Sequence, residues 1–269
     1  MAMLQVNYFS KAMRREVTFN ALIPIDTMGP TGERKYVEKP LKALYLLHGF
    51  SGSYTDWISN TNIRQLSDKY NIAIFMPSGE NHFYVDDIEK RELFGEYIGD
   101  ELVQYTRELF PLSEQKEDTF IAGLSMGGYG AIRNGLKYAH HFGGIMALSS
   151  ALITYKAQVA TPDYDDGIGD YNYFTRVFGD LAKLKGSEKD PEALVKKLKA
   201  TNTDIPNIYM ACGTEDFLLD VNRTFKEFLD SENVTFTYVE DAGAHTWEFW
   251  SDYIDKALTW AMDFNKEIE

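Results

Sequence analysis

The stretch that decides the fold is FIAGLSMGGYG, residues 120–130. Residues 119–122 (TFIA) are a short unbroken apolar run, as a strand buried on both faces requires. A helical pattern follows over residues 129–140. Between them stands Gly123-Leu124-Ser125-Met126-Gly127. A chain that turns sharply from strand to helix has no room for a Cβ on either side of the turn, which is the mechanical reason for Gly123 and Gly127. Ser125 then sits at a helix N-terminus, where free N–H groups and the helix dipole favour an anion. A serine in a glycine-rich helix cap would give the same five letters. The strand before it and the helix after it favour a nucleophile.

Working outward, similar apolar runs recur at residues 43–47 (ALYLL), 72–76 (IAIFM), 144–148 (GIMAL), 208–211 (IYMA) and 234–239 (VTFTYV). Helical patterns lie between them, at 93–110, 222–229 and 247–264. Strand alternating with helix predicts an α/β fold, with a mostly parallel central sheet of about eight strands and helices on both faces. Residues 5–10 and 16–23 instead alternate polar with apolar and read as an antiparallel pair, followed by a polar turn over 24–40. Residues 152–205 contain no buried-strand signal. They are expected as an insertion, within a single domain spanning 1–269, before the strand that carries an acid. Insertions at the carboxyl ends of parallel strands border the usual ligand crevice, so a lid is one reading and a surface helical excursion the other.

Composition narrows the function classes. The chain has 269 residues with 27 Lys+Arg against 41 Asp+Glu, a formal charge of −14. That balance argues against nucleic acid and against an anionic membrane surface, both of which need clustered cations. Hydrophobic content of 44% suits a globular protein with a sizeable core. The longest mostly apolar stretch, residues 143–153, is too short to cross a bilayer, which takes roughly 20 residues. The first residues lack a signal-peptide pattern, and Cys212 is the single cysteine. A cytoplasmic location is expected.

A serine hydroxyl needs a base. Of the five histidines, His245 lies just after the last strand and before the last helix, the position this architecture gives a base. His82 is the rival; His48 belongs to a turn, and His140 and His141 close the helix that follows Ser125, far from its start. In MACGTEDFLLD (210–220), Asp216 directly follows a strand and is the expected orienting acid, with Glu215 beside it and Asp220 expected to cap the next helix. The order Ser125, Asp216, His245 is that of an α/β-hydrolase. LLHGFSGS (46–53) also follows a buried strand, and its Phe50 N–H, paired with the Met126 N–H, is the expected oxyanion hole. Trp57, Trp247 and Trp250 lie near these loops, and Trp57 and Trp247 are expected to line a substrate pocket. Cys212 reads as a core thiol. The run Asp163, Asp165, Asp166, Asp170 lacks EF-hand spacing and reads as a solvated loop. No metal and no cofactor is demanded.

LLHGFSGS, GLSMGGYGA, CGTEDFLLD and GAHTWEFW together resemble the esterase D group of α/β-hydrolases: tributyrin esterases, S-formylglutathione hydrolases, and feruloyl and acetyl-xylan esterases. The N-terminal VNYFSKAMRREVTFNALIP is most similar to the small tributyrin esterases of streptococci and lactic-acid bacteria, and FYVDD (83–87) resembles the S-formylglutathione hydrolases. The resemblance covers essentially the whole chain. It implies a serine carboxylesterase acting on small short-chain acyl esters through an acyl-enzyme, with Ser125, Asp216 and His245 as triad, Phe50 and Met126 as oxyanion donors, and a homo-oligomer as the expected assembly. A thioesterase, a feruloyl or acetyl-xylan esterase, an acyltransferase with the same triad, and a non-catalytic binding protein on a hydrolase fold remain as alternatives.

Overall fold

A computed structural model describes residues 1–26, 29, 31–33 and 39–264. The turn expected over 24–40 lies partly outside these residues. Among these residues ten strands occur, in order β1 (Ala2–Ser10), β2 (Arg15–Ile23), β3 (Lys42–Leu47), β4 (Ile72–Pro77), β5 (Asp86–Asp87), β6 (Glu92–Leu93), β7 (Thr119–Leu124), β8 (Gly144–Leu148), β9 (Asn207–Gly213) and β10 (Phe236–Asp241). Eight of them form one sheet in the order β1-β2-β4-β3-β7-β8-β9-β10. The pairs β1/β2 and β2/β4 are antiparallel and every later pair is parallel. This is the α/β-hydrolase arrangement expected from the sequence.

The unbroken apolar runs follow from burial on both faces. Side chains alternate across a strand, and β3 sends Tyr45 and Leu47 into one core while Leu44 and Leu46 enter the other. The first core packs under α5 (Met126–Lys137) and the second under α10 (Trp247–Phe264). The remaining helices are α1 (Asp56–Asn60), α2 (Ile63–Tyr70), α3 (Phe94–Glu96), α4 (Leu102–Leu109), α6 (Thr154–Ala157), α7 (Tyr171–Phe178), α8 (Pro191–Ala200) and α9 (Leu219–Ser231). Between β8 and β9 only helical elements occur: α6, α7, a 3₁₀ turn over Leu181–Lys183, and α8.

Three local differences from the sequence reading have physical causes. The helix expected over 93–110 contains a π-turn, Tyr97–Glu101, between α3 and α4. Gly95 and Gly99 let this segment press against α5: an added Cβ at Gly95 would lie 2.1 Å from the Arg133 guanidinium, and one at Gly99 2.1 Å from the Tyr138 ring. The helix after Ser125 starts at Met126 rather than Tyr129, because three small glycines there tolerate the close sheet contact. Asp220 lies inside the first turn of α9, whose N-cap is Leu218, so it favours the helix dipole without capping.

Arg133 ties these layers together. Its side chain is fully buried, donating to Glu188 Oε1 at 2.8 Å, the Glu188 carbonyl at 3.1 Å and Asn134 Oδ1 at 2.7 Å. Asp86 lies 3.6 Å from the guanidinium and 2.9 Å from Lys137 Nζ. Burial pushes the Asp86 carboxyl up, but Arg133 and Lys137 more than offset this and hold it below its ordinary value. A carboxyl depressed in the folded state contributes stability that is present above its unfolded pKa and lost as pH falls through the folded one. Stability is therefore expected to fall as pH drops below the ordinary Asp range. Arg133→Ala, which removes the buried cation between Asp86 and Glu188 and leaves Lys137 to hold both carboxylates, is expected to cost up to about 3–5 kcal/mol in urea unfolding and to weaken that acid dependence.

Candidate active site

The carboxyl ends of β3, β7, β8, β9 and β10 share one edge of the sheet, because these parallel strands are neighbours there. Ser125 follows β7 with φ 53 and ψ −117, a conformation unusual for a residue with a side chain. Its neighbours make the turn possible. A Cβ at Gly123 would lie 2.3 Å from the Gly127 carbonyl oxygen, and one at Gly127 only 2.5 and 2.6 Å from the Leu47 and His48 carbonyl oxygens. The Ser125 N–H is anchored to the Leu148 carbonyl at 2.9 Å. The side chain thus stands at the start of α5, facing away from the sheet.

His245 Nε2 lies 3.0 Å from Ser125 Oγ, and its Nδ1 lies 2.9 and 3.1 Å from the two Asp216 oxygens. A carboxylate only accepts, so Nδ1 carries the proton and Nε2 is free to accept from the serine hydroxyl. Asp216 is buried and also accepts the Leu218 N–H at 2.8 Å. Burial raises its pKa, but the His245, Leu218 and Ser149 hydrogen bonds outweigh that and keep the carboxyl below its ordinary value. Glu215 is turned elsewhere: it accepts the Gly243 N–H at 2.5 Å, while its own N–H donates to the Gly243 carbonyl at 3.0 Å. This reciprocal pair, with Gly213 packed under Gly243 so tightly that a Cβ would meet its carbonyl oxygen at 2.0 Å, sets the β10–α10 loop against the β9 loop.

The Phe50 N–H, on the turn after β3, and the Met126 N–H, at the first residue of α5, make no hydrogen bond among the described residues. Gly49 brings the Phe50 turn in: a Cβ on it would sit 3.6 Å from Ser125 Cβ. The carbonyls of that turn are already engaged, Leu47 O by the Trp57 indole at 3.0 Å and His48 O by the Tyr84 hydroxyl at 2.9 Å. Two free donors on the turns next to a serine are the kind of arrangement that can seat an oxyanion.

Ser125 and His245 open into a cavity of about 720 Å³ that is walled mainly by aromatic and aliphatic side chains, among them Phe50, Ile153, Tyr173, Phe217 and Trp247. Residues from α6 and α7 and from the loop between them supply one wall. Trp57 does not line it. Its ring is buried beneath Trp247, and its indole N–H is committed to the Leu47 carbonyl, so its part is to brace the Phe50 turn. Two neighbours escaped the sequence reading. Phe217 is 60% exposed, yet its ring lies 4.6 Å from the His245 ring. Ser149, buried at the end of β8, accepts the Trp250 indole N–H at 3.0 Å and touches the Asp216 carboxylate. A large apolar residue directly after Asp216 and a polar one directly after a buried strand were the available signals.

His48 and His82, the other histidines on this side of the sheet, are engaged elsewhere. His48 accepts the Gly79 N–H on Nε2 and donates from Nδ1 to the Gly49 carbonyl, and His82 stacks on Phe94. The Cys212 thiol, buried and pushed up to about 12 by desolvation, is no nucleophile. Asp165 and Asp166 accept backbone N–H groups of their own loop, and Asp170 caps α7. Gly127→Ala is expected to force the elbow away from the β3 carbonyls, costing about 1–3 kcal/mol in denaturant unfolding and abolishing any reaction at Ser125.

A profile of the Esterase family matches residues 10–261. The chain is 50% identical over 260 residues to an acetyl esterase of Caldicellulosiruptor saccharolyticus, covering 97% of this chain and 98% of that one. It superposes on the substrate-bound fluorophosphonate-binding serine hydrolase FphF of Staphylococcus aureus with a TM-score of 0.83 at 29% identity, covering 97% of this chain and 98% of that one. The S-formylglutathione hydrolase FrmB of Staphylococcus aureus gives a TM-score of 0.81 at 30% identity, with the same coverage.

Proposed function

The chain belongs to the Esterase family and is a carboxylic ester hydrolase, and from that premise we propose that it cleaves short-chain acyl esters, acetyl esters first, through an acyl-enzyme on Ser125. The observation that carries this reading is the unbroken hydrogen-bond chain from Asp216 through His245 to Ser125 at the cavity floor. Ser125 Oγ attacks the ester carbonyl as His245 Nε2 takes its proton. Asp216 fixes the tautomer and stabilises the imidazolium. The carbonyl oxygen becomes an oxyanion facing the Phe50 and Met126 N–H groups, each such donor lowering the barrier by roughly 3 kcal/mol. His245 returns the proton to the leaving alcohol, and water repeats the sequence on the acyl-serine.

The acetyl preference rests on the acetyl esterase relative. An acetyl group fills little of a cavity in the size range that holds whole small ligands, so the aromatic walls are left to grip the alcohol portion. The helices between β8 and β9 act in this reading as a cap over that portion. A thioester is the second reading, favoured by the S-formylglutathione hydrolase neighbour. The proposal includes a cytoplasmic site of action, in keeping with a single buried thiol, and a homo-oligomer, in keeping with the exposed Leu4 and Phe9 on edge strand β1. No described helix is long and apolar enough to cross a membrane.

The test is a p-nitrophenyl ester series with S-formylglutathione alongside. Hydrolysis is expected to be fastest for the shortest acyl chains, and Ser125→Ala is expected to lower kcat by about 10⁶. Asp216→Asn, which permits the wrong tautomer, is expected to lower it by about 10⁴. Full activity of Ser125→Ala would overturn the proposal, and a preference for the thioester would select the second reading.

A further inference from the structure

The π-turn between α3 and α4 brings Asp100 against the adjacent pair His140 and His141, just beyond α5 and distant from it in sequence. One ligand atom from each lies within 4.8 Å of the other two. His141 Nε2 and Asp100 Oδ1 are 2.7 Å apart, and the two imidazole rings are 4.1 Å apart. The contact depends on Gly99, which lets the π-turn pack onto Tyr138 and aims its next residue at the histidines. Single π-turns inside helices mark functional positions more often than chance. His140 is exposed and makes no hydrogen bond among the described residues.

We propose that Asp100, His140 and His141 bind a divalent transition-metal ion of the zinc class. Two imidazole nitrogens and one carboxylate oxygen suit Zn²⁺, Co²⁺ or Ni²⁺, whereas Mg²⁺ and Ca²⁺ seek all-oxygen sets. Water fills the remaining coordination position. Imidazole ligates through the lone pair of an unprotonated ring nitrogen. The ion replaces the proton between His141 Nε2 and Asp100 Oδ1, and that proton moves to Nδ1 of the neutral ring. The ion would clamp the far end of α5 to the π-turn. The twelve residues of α5 set this point about 18 Å along the helix axis from Ser125, so the ion takes no part in chemistry there.

The experiment titrates ZnCl₂ into untagged, metal-stripped protein, followed by calorimetry and by thermal unfolding, with MgCl₂ as control. One Zn²⁺ per chain is expected to bind, raising Tm by about 5 °C when Zn²⁺ is roughly 100-fold above its Kd. Mg²⁺ is expected to leave Tm unchanged. In His140→Ala, whose exposed site keeps the fold and the p-nitrophenyl acetate activity intact, this binding and the Tm rise are expected to vanish. Asp100→Asn is expected to weaken binding at least 10-fold. The inference is overturned if the wild-type protein shows neither stoichiometric binding nor a Tm rise, if His140→Ala retains both, or if binding is lost in His245→Ala instead. None of these readouts depends on which ester the enzyme cleaves.

Discussion

The geometry rests on a backbone contact: Gly127, in the first turn of α5, pressed against the Leu47 and His48 carbonyls at the end of β3. No side chain fits between them. The contact seats α5 on the sheet, forces Ser125 into its unusual φ and ψ, and brings the Phe50 turn alongside. Strained backbone persists only where its surroundings over-determine it. Here they include the Ser125 N–H bond to Leu148, the Ala151 N–H bond back to the Ser125 carbonyl, and a helix buried over nearly its whole length.

The remaining members of the site inherit their places from the sheet. Neighbouring parallel strands stand about 4.8 Å apart, so the loops after β7, β9 and β10 deliver a serine, a carboxylate and an imidazole within hydrogen-bond reach of one another. The Glu215–Gly243 pair then fixes the last two loops against each other. Among the described residues, buried charge also gathers in the Arg133 cluster, where α5 meets Asp86 and, from the segment between β8 and β9, Glu188. The same helix therefore carries the Ser125 turn at one end, an ionic tie to the segment between β8 and β9 in its middle, and the histidine pair just past the other end.

Much of this is legible in the letters. Strands buried on both faces have to be continuously apolar, so β3, β4, β7, β8 and β9 stand out, and the exposed edge strand β1 betrays itself by alternation, whereas β2, also read as alternating, is buried from Phe19 to Ile23 and hides its polar Asn20 in a hydrogen bond to the Tyr54 carbonyl. The elbow is legible because its glycines answer a local steric demand. Ser125, Asp216 and His245 are legible because each follows a strand. What is not legible depends on contacts between distant residues. The π-turn exists because Gly99 meets Tyr138. Trp57 is drawn from the cavity by a carbonyl whose direction no sequence pattern encodes. Ser149 gains meaning only when Trp250 and Asp216 close around it. Asp100 carries no spacing signal toward His140 and His141.

The central claim is that the Asp216–His245 pair makes Ser125 the atom that accepts the acyl group. The most direct measurement mixes the enzyme with excess p-nitrophenyl acetate, quenches it in acid within the first turnovers, and maps the acetylated peptide by mass spectrometry. The account predicts one acetyl group per chain on the peptide holding Gly123–Gly127, placed on Ser125 by fragmentation. Hydrolysis that proceeds with no acetyl group on that peptide, or with one on another residue, would contradict it.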